Sequence, residues 1–361
     1  MSEHSLRIDA LRATSKGLAL YIAELTNIRY LTGFSGSAGH LLVEDDRVTL
    51  FTDGRYETQA AEQTSGIDLE ITFGDSRPAL VGAARKRRLK RLGFEQNRLS
   101  YAAFRYLKNE LRGCRLMPLE DLVEQLRMIK SPGEIEAIRR SVELNSKAFE
   151  QACEKVRPSW TEARLAAEIE FAMRRLGAEG AAFSTIVAGG PHGALPHAEP
   201  RPVKLLPNAL VVVDQGAILN GYNSDMTRMI SLGRPDRRQM EMFNAVLEAQ
   251  QAAIDAIRPG AEFQTIDRRA RRILRKSKVA GKRLDELFSH STGHGLGLEI
   301  HESPRLAPKQ RERLKSGMVV TVEPGTYLAG VAGVRIEDVV VVKRGGCEVL
   351  TRTSRELRVI E

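Results

Sequence analysis

The side chains best suited to chemistry lie in one stretch near the C-terminal end, FSHSTGHGLGLEIHESP, from Phe288 to Pro304. It holds three of the seven histidines, His290, His294 and His301, within twelve positions, among glycines that allow a backbone to approach a ligand closely. A single histidine is commonly a satisfied structural residue, and His290 alone supports nothing more. The cluster differs because Glu323 in TVEPGTY and Glu337 in VRIEDVVVV follow it, each at the edge of an apolar run. Histidine together with carboxylates suggests a metal site. HES at 301 is not the helical HExxH zinc motif, because position 305 is arginine. GHGLG likewise lacks the spacing and the flanking strand and helix of a dinucleotide fingerprint.

Two further carboxylates belong to the same pattern. Asn220-Gly221 is a strong hairpin signal, and a two-residue turn there pairs VVVDQGAI with YNSDMTRMI and sets Asp225 opposite Gly216. Asp214 and Asp225 then become diagonal neighbours on one face, ~7 to 8 Å apart at Cα. Such a pair repels unless a cation lies between. Glu323 and Glu337 are expected at related positions in a second hairpin, with a loop three residues longer. Four carboxylates and a histidine make a pocket of net charge minus four, suited to two divalent cations ~3.5 to 4 Å apart. Singly each residue has a plainer reading. Asp214 could cap a turn, and Glu337 could be a solvated strand end paired with Arg335.

The elements that must position these groups repeat. Val156-Arg-Pro158 recurs as Ile257-Arg-Pro259, His197-Ala-Glu-Pro-Arg201 as His301-Glu-Ser-Pro-Arg305, and Asp214-Gln-Gly216 as Glu323-Pro-Gly325. The offsets of 101, 104 and 109 residues describe a duplicated unit with small insertions, too long for a solenoid repeat. Two halves, each a pair of helices followed by strands, are expected to face one another across a pseudo-twofold axis. Upstream, GLALYIA, HLLVE, RVTLFT and DLEITF read as strands, while Tyr56 to Ser65 and Pro78 to Arg91 read as helices, a small α/β domain. Ser131-Pro-Gly-Glu134 is a capping box that opens a long helix and marks the boundary. The expected domains are 1–125 and 126–361. GFSGSAG at 33 to 39 lacks the glycine spacing of a nucleophile elbow.

At 361 residues, 42% apolar and 28% charged, the chain can build two ordinary cores. No apolar run is long enough for a membrane helix and the first residues lack a secretory apolar segment, so a cytoplasmic protein without membrane partner is expected. Cys114, Cys153 and Cys347 are too scattered for a disulfide framework or a thiolate site. The net charge of +9 raises the question of nucleic acid. Six of the seven residues from Arg85 to Arg91 and seven of the eleven from Arg268 to Lys278 are basic. Both runs read as solvated helix faces without interleaved aromatics, so no specific nucleic-acid partner is expected.

IVAGGPHGALPHAEP, VVVDQGAILNGYNSDMTR, STGHGLGLEIHESP, GMVVTVEPGTY and GVRIEDVVVV closely resemble the signature segments of the Xaa-Pro aminopeptidases and prolidases, relatives of methionine aminopeptidase and creatinase. NIRYLTGFSGSAG and LFTDGRY resemble their creatinase-type N-terminal domain. The resemblance implies an α/β N-terminal domain followed by an α+β pita-bread catalytic domain. It assigns Asp214 to one metal, Asp225 and Glu337 as bridges, and His294 and Glu323 to the other metal. It makes Glu323 the general base, His197 and His301 catalytic-site histidines that also meet substrate, His290 a substrate-pocket residue, and Arg335 a support beside Glu337 and a substrate-binding residue. The implied reaction is hydrolysis of an N-terminal Xaa-Pro bond by a water or hydroxide bridging two divalent ions, with manganese first and cobalt or zinc as alternatives. An aminopeptidase on peptides with proline second is the first expectation, an Xaa-Pro dipeptidase the alternative. An inactive scaffold is disfavoured by the complete ligand set, and a homo-oligomer, dimer or dimer of dimers, is expected.

Overall fold

The computed structural model describes residues 2–360, which fall into two compact units divided between Arg127 and Met128. The first unit is a six-stranded sheet in the order β4-β3-β2-β1-β5-β6. Its strands are β1 (Ala19–Ile22), β2 (His40–Val43), β3 (Val48–Asp53), β4 (Asp68–Thr72), β5 (Arg91–Glu95) and β6 (Arg115–Leu119). β2 is antiparallel to both neighbours, while β3 with β4 and β1 with β5 and β6 run parallel. The four expected strands are present. The helix expected over Pro78 to Arg91 instead runs from Arg77 to Lys86, and Arg91 opens β5. The first basic run is therefore a helix end, a turn with Arg88 at φ 54°, and a strand start, and not one helical face. The second run also leaves its helix, after Leu274.

In the second unit the capping box forms as expected. Ser131 Oγ accepts from Glu134 N, and Glu134 Oε2 accepts from Ser131 N at 3.0 Å, opening the helix Pro132–Cys153. The duplication is visible in the elements. Helices Pro132–Cys153 and Glu162–Arg175 precede strands Ile186–Gly189, Leu210–Gln215 and Met226–Leu232. Helices Arg237–Ile254 and Phe263–Leu274 precede strands Gly293–Gly295, Val319–Val322 and Asp338–Lys343. In each half the three strands lie side by side, antiparallel, in chain order. The helices bury one apolar face each, through Leu165, Ile169 and Met173 in the first half and Phe243, Val246 and Ile266 in the second. The unit is the pita-bread fold, with the two halves building separate sheets.

The last turns of the hairpins fix the site. Leu219 pairs with Tyr222 across Asn220 (φ 51°) and Gly221 (φ 78°), both left-handed as a type I′ turn requires. The register continues unbroken to Met226↔Gln215 and Thr227↔Asp214, so Asp225 does lie opposite Gly216. In the second half Leu328 pairs with Ala332 around a three-residue loop. That loop is one residue longer than the first, not three. The remaining two residues of spacing are a register step. Val322 faces Asp338 and Gly325 faces Arg335, so Glu323 stands opposite Glu337. Glu337 thus takes the place of Thr227, and Asp225 corresponds to Arg335. A two-residue step keeps the same face of the sheet, which is why both acids still point to one centre.

Among the described residues no helix is long and apolar enough to cross a membrane. The three cysteines are free.

Candidate metal centre

Asp225, His294 and Glu337 each offer a ligand atom within 4.8 Å of the others, and all three are buried. His294 sits in a strand flanked by Gly293 and Gly295. A Cβ at Gly293 would lie 2.0 Å from Thr321 O, and one at Gly295 2.4 Å from Ser303 O. These glycines serve the packing of backbone on backbone, and not the approach of a ligand. His294 Nδ1 lies 3.0 Å from Gly295 O, an atom that can only accept, so Nδ1 carries the hydrogen and Nε2 keeps its lone pair. Nε2 is 3.6 Å from both Asp225 Oδ2 and Glu323 Oε1. Burial, with His301 beside it, depresses the imidazole to about 4, so these are converging neutral and anionic donors, not ion pairs.

Four carboxylates share this space, and burial pushes three of them up. Asp225 is raised well above the carboxylate range by desolvation first and then by Asp214 and Glu323, and Glu337 by desolvation first and then by Asp225, Glu323 and Asp214. Glu323 is pushed up to about 8 by burial, against the pull of Arg335. One buried oxygen on each of Asp214, Asp225 and Glu337 has no hydrogen-bond partner: Oδ1, Oδ1 and Oε1. Unpartnered buried anionic oxygens are costly unless a cation meets them. The donor set, oxygen-rich with one imidazole, fits hard or borderline divalent cations.

Arg335 brings a buried cation into the cluster. All three of its nitrogens donate: Nη2 to Asp214 Oδ2 at 2.6 Å, Nη1 to Tyr327 OH at 2.6 Å and Pro196 O at 3.2 Å, Nε to Thr227 Oγ1 at 3.2 Å. Arg335 thereby offsets one of the four formal carboxylate charges. Tyr327 OH lies 2.8 Å from His290 Nε2, and His290 Nδ1 donates to Ser291 O at 2.9 Å. Both ring nitrogens of His290 are thus occupied. His301 is exposed, with its ring centroid 4.4 Å from that of His294. His197 is exposed too, follows the pinned Pro196, and its charge would reach both His290 and His301.

Some participants were not singled out from sequence. Thr227 and Tyr327 both face the centre, and the alternation of a strand carries the signal. Thr227 is two residues from Asp225, and Tyr327 is four from Glu323. Arg228 is different. Fully buried, it donates to Glu337 O at 2.6 Å, Asp338 Oδ1 at 2.6 Å and Thr353 O at 2.7 Å, clamping the segment that carries Glu337.

A duplicated unit that gathers four carboxylates and a neutral imidazole has the donor set of a divalent-metal site. The chain belongs to metallopeptidase family M24, whose profile matches residues 136–344, and carries a creatinase/prolidase N-terminal domain over residues 7–129. It is similar to the Xaa-Pro dipeptidase of Pyrococcus horikoshii, with 36% identity over 342 residues and 94% of each chain covered. Among solved structures, the Xaa-Pro dipeptidase from Bacillus anthracis matches with a TM-score of 0.94 at 35% identity, over 99% of this chain and 100% of the other. The X-Pro aminopeptidase from Thermotoga maritima matches with a TM-score of 0.90 at 34% identity, over 97% and 99%.

Proposed function

We propose that the chain is an exopeptidase that cleaves the bond before a proline in second position, acting as an aminopeptidase and holding two divalent cations among Asp214, Asp225, His294, Glu323 and Glu337. The observation that carries this reading is the buried cluster of Asp225, His294 and Glu337, whose ligand atoms lie within 4.8 Å of one another, with the Nε2 of a neutral His294 left free of hydrogen and partnerless buried oxygens on Asp214, Asp225 and Glu337. When bound, such cations supply Lewis acidity and lower the pKa of a water; manganese is proposed first, from the oxygen-rich donor set.

A bond to proline is a tertiary amide with no N–H, so recognition rests on the carbonyl and on the free α-amine. Glu323, with its side chain 15% exposed and Asp225's at 6%, is the more accessible acid and takes the proton of the attacking water. His197, exposed at the rim, donates a hydrogen bond to the carbonyl oxygen as charge develops there. His301 orients the residue after the scissile bond. The α-amine meets Asp214, whose Oδ1 is free while Oδ2 is held by Arg335.

A second reading, a dipeptidase restricted to Xaa-Pro, is favoured by Arg305. It is exposed, and its positive charge acts on His301, His294 and Glu323, where a dipeptide's terminal carboxylate would need a cation. The test is turnover of Gly-Pro beside a longer Gly-Pro peptide by metal-loaded protein. Release of glycine from the longer peptide, with little effect of Arg305→Gln, supports the aminopeptidase. Turnover of Gly-Pro alone, with KM raised in Arg305→Gln, supports the dipeptidase. Loss of neither substrate's hydrolysis on metal removal contradicts both.

A further inference from the structure

Away from the metal centre, the second unit carries a groove of about 620 Å³ where the end of the 237–254 helix meets the start of the 263–274 helix. Five arginines line it, Arg258, Arg268, Arg269, Arg272 and Arg313, against Asp255 and Glu262, a net of three positive charges. The two acids have local partners. Glu262 lies 3.3 Å from Arg313 and 2.8 Å from Gln264, and Asp255 accepts from Gln251 at 2.7 Å. Arg258, Arg269 and Arg272 are exposed and have no acidic partner among the described residues.

The internal duplication provides a control for whether the fold needs these cations. Thr161 bridges to Lys204 in the first half as Glu262 bridges to Arg313 in the second, so the following helices correspond at an offset of 101 residues. Their buried positions coincide: Leu165 with Ile266, Ile169 with Ala270, Met173 with Leu274. At the positions of Arg268, Arg269 and Arg272 the first half has Ala167, Glu168 and Phe171. Packing therefore does not require arginine there. Free guanidiniums facing one cavity repel each other, and an anion bridging them relieves that cost.

We propose that this groove binds a compact oligophosphate. Planar guanidiniums match phosphate oxygens in bidentate pairs, and the volume is that of a small-ligand site. No aromatic side chain lines the groove to stack a base, which favours a phosphate chain over a single-stranded nucleic acid. This site is separate from the reading of the metal centre and does not depend on it.

The test is calorimetric titration of the full chain with inorganic tripolyphosphate, for the wild type, for Arg269→Glu with Arg272→Glu, and for Arg237→Glu with Arg238→Glu. The last pair lies on exposed helix positions outside the groove and makes the same change in net charge. The expected result is binding by the wild type, a loss of at least roughly ten-fold in the groove variant, and near-wild-type affinity in the control. Thermal melts of both variants match the wild type, since all four positions are exposed. Absence of binding by the wild type overturns the proposal. So does an equal loss in both variants, which would mean attraction by net charge alone, or groove-dependent binding of an RNA oligomer with none of tripolyphosphate.

Discussion

Thr227 and Glu337 occupy the same position in the two halves of the second unit and hydrogen-bond to each other across the axis. Thr227 Oγ1 donates to Glu337 Oε2 at 2.8 Å, and Glu337 N donates to Thr227 O at 3.1 Å. The duplication has thus kept one member as an acid and made the other its support. Thr227→Val removes the hydroxyl at equal volume and leaves Glu337 Oε2 and Arg335 Nε each short of a partner. The expected cost is ~1–3 kcal/mol in stability and about ten-fold in metal affinity, checked by denaturant titration and metal binding.

Arg335 joins Asp214 to Tyr327 and thence to His290. Arg335→Lys keeps the charge but cannot serve Asp214, Tyr327, Thr227 and Pro196 O together. Steady-state kinetics should show kcat lowered by ~10- to 100-fold. An unchanged kcat would show that orientation of Asp214 does not depend on this fork.

The Arg228–Asp338 pair, at 2.6 Å with both side chains about 1% exposed, has no part in chemistry. Asp338→Ala leaves a buried guanidinium without its counter-charge and should cost ~3–5 kcal/mol in urea unfolding.

The raised acids give the metal centre a pH dependence of definite sign. In the metal-free protein Asp225, Glu337 and Glu323, the last at about 8, retain protons that the unfolded chain has lost. Their contribution to stability is full below the ordinary carboxylate pKa and is lost as pH rises through the raised values, so metal-free protein becomes less stable from weakly acidic pH toward pH 8. Metal binding must expel those protons, and affinity should rise over the same range. Calorimetry in buffers of different ionisation heat measures the release; zero release at neutral pH would contradict the raised values.

The sequence made the Asp214–Asp225 geometry legible because Asn220-Gly221 admits one tight turn, and a turn sets every register behind it. The duplication was legible from short repeated segments. The second hairpin was less so, because spacing alone cannot divide three extra residues between loop and register. The Arg335–Asp214 and Arg228–Asp338 contacts join residues 121 and 110 apart and follow from the packing of the halves, which no local period encodes. The basic runs misled about helix ends because charge says little about where a chain turns.

The central claim is that the buried acids and His294 hold the cations on which hydrolysis depends. Metal-stripped protein titrated with manganese, with bound metal and Gly-Pro turnover followed together, tests it most directly when wild type and Asp225→Asn are compared. Turnover should reach its plateau at about two ions per chain in the wild type. Asp225→Asn should bind less metal and hydrolyse nothing measurable. Full turnover without metal, or wild-type turnover by Asp225→Asn, would contradict the account.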